Sequence, residues 1–129
     1  MKKLILWMSC ICLFAISSFA QNAHVMITDG YTMPANEFQN WDDVWQLYGG
    51  KNAIYVGMEN FPAKCGPGKI SYIRVKKRYK VTAYSTGDFT GDPIVLDGGY
   101  YGLEVNFKEK HKDWDNMIRS FKIEYDSPY

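Results

Sequence analysis

The sequence predicts an all-β domain of the two-layer sandwich type. Short segments rich in β-branched and aromatic residues recur along the chain, and clusters of Gly, Asp and Pro separate them. Residues 21–129, 109 in all, remain once an amino-terminal leader is set aside, and this length is enough for one hydrophobic core. Only Cys65 lies in this part of the chain, so the core cannot depend on an internal disulfide.

Seven strands are predicted between the turn clusters. They are His24–Thr28, Ala53–Val56, Ile70–Val75, Lys80–Tyr84, Pro93–Leu96, Leu103–Phe107 and Arg119–Tyr125. The turn clusters include Asp29-Gly30, Gly66-Pro67-Gly68 and Asp97-Gly98-Gly99. Several short strands with regular turns between them are typical of a β-sandwich.

One segment departs from the strand pattern, and we predict a short helical insertion over residues 37–48. Asn36 can cap its start, Gln39 stands at the capping-box position, and Gly49 can end it. The aromatic residues of the segment follow a helical spacing, at Phe38, Trp41, Trp45 and Tyr48. We expect this stripe to cover the sandwich core rather than to bind a ligand.

The first 20 residues are predicted to be a signal peptide. Lys2 and Lys3 are followed by the apolar stretch 4–14, which is too short to span a membrane, and residues 18–20 end in a small-x-small cleavage site. The short apolar stretch and the junction of Ala20 with Gln21 are similar to those of bacterial exported proteins. The protein is therefore expected to be secreted or periplasmic, with no membrane span.

The charge balance argues against a nucleic-acid partner. The chain has 15 basic and 14 acidic residues, and removal of Lys2 and Lys3 leaves 13 against 14, a net charge of about −1. The basic run at residues 76–80 is expected to be a solvated loop at a strand entrance. We expect a monomer whose partner is a protein or a glycan, and we expect Cys65 to be buried.

An aromatic and glycine pattern marks the hairpin that follows the fourth predicted strand. Phe89 stands five residues after Tyr84, and Gly91 stands two residues after Phe89. A folded-over hairpin needs a positive φ or a close backbone approach at such a glycine, and the two rings can lie across it. Any compact hairpin could use this pattern, so a second mark is needed.

The second mark lies about 24 residues beyond Gly91, where Asp115 and Asn116 precede Ser120 at the start of a strand. Together the two marks resemble one Greek-key motif of the βγ-crystallin family, and a weaker copy lies in the first half, around residues 48–57 and 68–75. The resemblance implies one βγ-crystallin-like domain over residues 21–129, with motif one at about 22–76 and motif two at about 79–125. It also implies that each motif lends a strand to the other's sheet.

The resemblance further implies a calcium site, formed by two Asn or Asp residues and a hydroxyl residue from the other motif. The second copy keeps Asp115 and Asn116 but has Arg119 in the hydroxyl position, where a guanidinium has no acceptor. The first copy keeps Ser71 and has lost both side-chain oxygens. Ser71, Asp115 and Asn116 could thus form one partial calcium site, with Arg119 repelling the ion beside Asp115. Alternatively, Asp115 and Asn116 only cap a turn.

No residue pattern indicates catalysis. His24 and His111 are the only histidines, neither has a nucleophile or metal-ligand spacing, and both are expected to be solvated. The predicted function is an exported non-catalytic structural or binding module of βγ-crystallin type, with calcium binding weak or lost and no other cofactor. One alternative is a secreted protease inhibitor or toxin-like effector on the same fold. The other is a carbohydrate-binding, lectin-like module that stacks sugars on Trp41, Trp45 and Tyr100-Tyr101.

Overall fold

The structure, a computed structural model, describes residues 22–36 and 38–126. The predicted leader at residues 1–20 lies outside the described residues. Eight strands form in chain order: β1 Val25–Thr28, β2 Trp45–Leu47, β3 Ile54–Val56, β4 Tyr72–Val75, β5 Tyr79–Tyr84, β6 Ile94–Asp97, β7 Leu103–Asn106 and β8 Ser120–Tyr125. One-turn 3₁₀ helices lie at Trp41–Asp43, Met58–Asn60 and Lys112–Trp114, and no helix within the described ranges is long and apolar enough to cross a membrane.

The strands form two antiparallel sheets that exchange one strand between the halves of the chain. The first sheet has the order β2-β1-β4-β7, and the second has the order β3-β8-β5-β6. Strand β3 comes from the first half but pairs with β8, and β7 comes from the second half but pairs with β4. This confirms the all-β sandwich and the strand exchange that the family resemblance implies.

All seven predicted strands are present, but the helix predicted over residues 37–48 is wrong. Only the single 3₁₀ turn Trp41–Asp43 forms there, capped by Asn40 rather than by Asn36, and Trp45–Leu47 pairs with β1 as strand β2. Strand pairing satisfies the backbone of β1 and turns Trp45 toward the core, so tertiary contacts override the local helical spacing. The helical stripe is not buried as a unit, because Phe38 is 91% exposed.

The main core lies between the two sheets. Alternation is clearest in β6, where Ile94 and Leu96 are buried and the residues that follow each of them are exposed. Phe107 and Phe121 are the largest fully buried side chains, and Trp45 packs edge-on against Phe121 at a centroid distance of 5.5 Å. Cys65 is fully buried in the same core as a free thiol, which confirms the predicted burial.

A second, smaller hydrophobic cluster covers part of the outer face of the first sheet. Met26 and Tyr72 point outward from β1 and β4, and the loop that follows β1 brings Met33, Trp41 and Val44 onto them. Met33, Trp41 and Val44 all come from the connection between β1 and β2. The cluster leaves the rest of that outer face open.

The hairpin after β5 brings the two sequence motifs, residues 84–91 and 115–120, into contact. Gly91 has a φ of +85°, and the rings of Tyr84 and Phe89 meet edge to face at a centroid distance of 6.1 Å. The buried Ser120 hydroxyl donates to the carbonyl oxygen of Thr86 at 2.6 Å and accepts from the Phe89 N–H at 3.3 Å. The hairpin is therefore tied to the first residue of β8, which is why both marks occur together.

Candidate metal centre

Loops from both halves of the chain meet at the predicted calcium site. Ser71 precedes β4, while Asp115 and Asn116 lie between the last 3₁₀ helix and β8. The Ser71 hydroxyl donates to Asn116 Oδ1 at 3.2 Å, and the Asn116 N–H donates to the Ile70 carbonyl at 3.1 Å. The structure thus brings Ser71 and Asn116 together across 45 positions of sequence.

One oxygen of the Asp115 carboxylate accepts a hydrogen bond from a described residue, and the other does not. Oδ2 accepts a hydrogen bond from the Tyr31 hydroxyl at 3.0 Å. Oδ1 is buried and has no hydrogen-bond partner among the described residues. A buried acceptor without a partner is costly, by about 1–3 kcal/mol, so this oxygen is available to a cation or a water molecule.

Tyr31 is a member of the site that sequence reasoning missed. Its carbonyl accepts from Asn106 Nδ2 at 2.9 Å, and Lys108 Nζ lies 5.2 Å from the centroid of its ring. The hydrogen bond to Asp115 is the largest cause that raises the pKa of its hydroxyl. Tyr31 lies 84 positions from Asp115 in a turn without a recognisable spacing, so the sequence carries no signal that pairs them.

Arg119 does not lie where we expected it. Its Nη1 donates to the carbonyl oxygens of Ser85 and Met117, each at 3.3 Å, and Nη2 lies 3.5 Å from the position of a Cβ on Gly68. Across the described ranges, the ion pairs do not include a contact between Arg119 and Asp115. The guanidinium therefore lies against the first-half loop at Gly68, at the counterpart of the Asp115 cluster.

Comparison with solved structures identifies the architecture. A βγ-crystallin domain from Clostridium beijerinckii matches at a TM-score of 0.56 with 14% identity, covering 81% of this chain and 99% of that one. A βγ-crystallin domain from Flavobacterium johnsoniae matches at 0.53 with 12% identity, covering 82% and 99%, and the N-terminal domain of protein S matches at 0.54 with 15% identity, covering 80% and 97%. The chain has the βγ-crystallin fold. No protein-family model and no curated protein matches the sequence.

The βγ-crystallin fold places four oxygen-bearing side chains at one cross-half site: Ser71, Asp115, Asn116 and Tyr31. Calcium prefers six to eight oxygen ligands, so these residues fit a hard cation only if water completes its shell. Asp115 supplies the one carboxylate, and no group of three His, Cys, Asp or Glu side chains within residues 22–36 and 38–126 could hold a metal. The side chains gathered here therefore offer one carboxylate, one amide and two hydroxyls.

The other candidate residues divide between core and surface. Trp45 packs against Phe61 and Phe121, and its ring centroid lies 5.0 Å from that of Phe61. Trp41 packs against the second, smaller hydrophobic cluster. Tyr100 and Tyr101 are 66% and 99% exposed. Tyr100 and Tyr101 therefore remain candidates for stacking on sugars, whereas Trp41 and Trp45 do not.

The expectation that both histidines are solvated is wrong for His24. Its ring is half-buried and stacks on Tyr79, and its Nδ1 accepts the Gly49 N–H at 2.9 Å. His111 is exposed at the start of the last 3₁₀ helix. His24 therefore has a packing role that accounts for its position.

Proposed function

We propose that the chain is an exported, non-catalytic structural or binding module of βγ-crystallin type with one weak calcium site at Ser71, Asp115 and Asn116. The βγ-crystallin fold supports a structural or binding module. The observation that carries the calcium site is the buried Asp115 Oδ1, which has no hydrogen-bond partner among the described residues. This oxygen lies in the cluster where a hydroxyl and an amide from opposite halves already meet.

Two features of the cluster make the site weak. The hydroxyl protons of Tyr31 and Ser71 are already donated to Asp115 Oδ2 and Asn116 Oδ1, so an entering ion must replace existing hydrogen bonds. A single carboxylate also supplies only one formal negative charge against the two positive charges of calcium. We expect a dissociation constant of about 10⁻⁴–10⁻³ M, the range of extracellular calcium modules.

Calcium titration of the purified protein tests the site, with binding followed by calorimetry and by thermal melting. Binding to the folded state alone stabilises it by RT ln(1 + [L]/Kd), about 2.7 kcal/mol at a hundredfold excess over Kd. Asp115→Asn should abolish this gain. Asp113→Asn, which removes an exposed carboxylate two residues away, should preserve it. Equal losses in the two variants, or no response of the parent at about 10 mM calcium, would remove the site.

Export is a separate part of the proposal. The charged, apolar and small-x-small segments of residues 1–20 support it. Mass spectrometry of the protein from its native host should give a chain that begins at Gln21. Recovery of a cytoplasmic chain that retains Met1 would contradict export.

Carbohydrate binding is a second candidate function, and the exposure of Tyr100 and Tyr101 favours it. Neither ring belongs to the two hydrophobic clusters of the described residues, and the two rings lie side by side with their centroids 6.4 Å apart. Large aromatic side chains that remain in water are typical of ligand-binding surfaces.

A further inference from the structure

An open cleft of about 510 Å³ lies on the outer face of the first sheet, beside the small hydrophobic cluster. Its floor includes Met26, Arg74 and Glu104, which stand in register across β1, β4 and β7. Its rim includes Lys76, Lys77 and Tyr101. We call this feature the lysine–tyrosine cleft, and its volume is within the range of ligand-binding sites.

The cleft carries a net positive charge. Glu104 is the one acidic residue of its lining, and its Oε1 pairs with Arg74 Nε at 2.8 Å. Its other oxygen accepts from the Tyr72 hydroxyl at 2.6 Å. Neither Lys76 nor Lys77 takes part in an ion pair with a described residue, and both are exposed. Two ammonium groups therefore remain for an anionic ligand.

The loop that presents Tyr101 is fixed to the body of the domain. The Gly98 N–H donates to the Tyr79 carbonyl at 2.8 Å, and the Gly102 N–H donates to the Gly98 carbonyl at 2.7 Å. A Cβ at Gly98 would collide with the carbonyl oxygen of Lys76, so only glycine allows the loop to approach the lysines this closely. The loop thus holds a 99% exposed ring at the rim of a cationic cleft.

We propose that the lysine–tyrosine cleft binds an acidic oligosaccharide. The Tyr101 ring would stack on the C–H face of a sugar, and Lys76 and Lys77 would bind its carboxylate or sulfate groups. This inference deepens the carbohydrate-binding candidate above and is independent of the calcium site.

The position of the cleft favours this ligand over other polyanions. Its floor crosses three strands, so a ligand there meets side chains rather than the free edge of β7, which an added peptide strand would need. Two unpaired lysines are also few for a nucleic acid, which is bound through many phosphate contacts. A short chain of acidic sugars matches both the ring and the small number of charges.

Calorimetric titration tests the proposal with an oligogalacturonate, its methyl ester and a chondroitin sulfate oligosaccharide. The first probe carries carboxylates only and the third carries both carboxylates and sulfates, so binding of the third alone assigns recognition to sulfate. The methyl ester keeps the sugar rings but lacks their charge. We expect one or both acidic probes to bind, with an affinity that falls as salt is added, and the methyl ester to bind at least about tenfold more weakly.

Matched variants locate the site. Tyr101→Ala and the double variant Lys76→Gln/Lys77→Gln should each weaken binding about fivefold or more, whereas Tyr101→Phe and Lys110→Gln/Lys112→Gln should not. Unchanged melting temperatures show that the variants are folded, and an unchanged calcium titration separates this site from the metal site. The proposal is overturned if neither acidic probe binds, if the methyl ester binds equally well, or if Tyr101→Ala has no effect. Binding of DNA or anionic vesicles in preference to both acidic sugars would also overturn it.

Discussion

The imidazole of His24 is stacked on the phenol ring of Tyr79, with centroids 4.2 Å apart and planes 13° from parallel. The ring of Tyr48 meets the imidazole edge to face at a centroid distance of 5.7 Å, and the Gly49 N–H donates to Nδ1. A ring nitrogen that accepts a hydrogen bond must be unprotonated, so this arrangement requires neutral imidazole. Burial and the positive charge of Lys76 both lower the pKa of His24 from its usual 6.5.

This contact predicts a loss of stability in mild acid. Because the pKa of His24 is lower in the folded chain, the stabilisation is complete above about pH 6.5 and is lost as the pH falls through the folded value. His24→Phe keeps an aromatic ring but cannot titrate. The difference in unfolding free energy between parent and variant should therefore change between about pH 8 and about pH 5. A difference that stays constant over this range would contradict the role of His24.

The positive φ of Gly91 predicts a purely conformational cost of substitution. No atom beyond its chain neighbours lies within 4 Å of a Cβ at this position, so Gly91→Ala meets no steric contact and should cost about 1–2 kcal/mol through its φ of +85°. Gly91→Val should cost more, because the β-branched side chain is poorly tolerated there. Gly50→Ala is the matched control, since its surroundings are equally open and its φ is not in the left-handed region. Equal denaturation midpoints for Gly91→Ala and Gly50→Ala would show that Gly91 is not held at positive φ.

The position of Arg119 predicts how a second calcium site could be restored. Arg119→Ser alone should not add calcium binding, because the facing residue Gly68 has no side-chain oxygen. Gly68→Asn supplies one and tolerates the local φ of +73° better than most residues. The double variant should bind a second calcium equivalent by calorimetry. A gain in Arg119→Ser alone would mean that the guanidinium acts on the Asp115 site.

The burial of Cys65 predicts an unreactive thiol. Burial is the main cause that raises its pKa to about 12, so the reactive thiolate is scarce near neutral pH. In protein that begins at Gln21, where Cys65 is the only cysteine, a thiol reagent should label the folded chain at the rate of unfolding. Cys65→Ser should cost about 1–3 kcal/mol, because it buries a hydroxyl in the core, and Cys65→Ala should cost less. Rapid labelling in native buffer would contradict the buried position.

The strands could be predicted because each carries its own signal. Strand β6, Ile94–Asp97, alternates buried and exposed side chains and is followed by two glycines, so the strand periodicity and the turn signal agree. The proximity of Ser71 to Asn116 was predicted for a different reason. The family pattern pairs Ser71 with Asp115 and Asn116 across the halves, and the hydrogen bond between Ser71 and Asn116 confirms that proximity.

The missed features depend on contacts between distant residues. Strand β2 has only three residues, and its aromatic spacing imitates a helix, so its pairing with β1 decides its conformation. Tyr31 reaches Asp115 only because the turn after β1 folds over the end of the first sheet. The orientation of Arg119 likewise depends on the first-half loop at Gly68 that packs beside it. Contacts between distant residues produce no local periodicity in the sequence, so the sequence alone does not predict them.

The exchange of β3 and β7 has a consequence for biosynthesis. The second sheet needs β8, the last described strand, at its centre, and the first sheet needs β7 at its edge. A chain that emerges from the ribosome therefore cannot complete the first sheet before Asn106 or the second sheet before Tyr125. Because such long-range pairings form late and slowly, the nascent chain stays open during most of its synthesis.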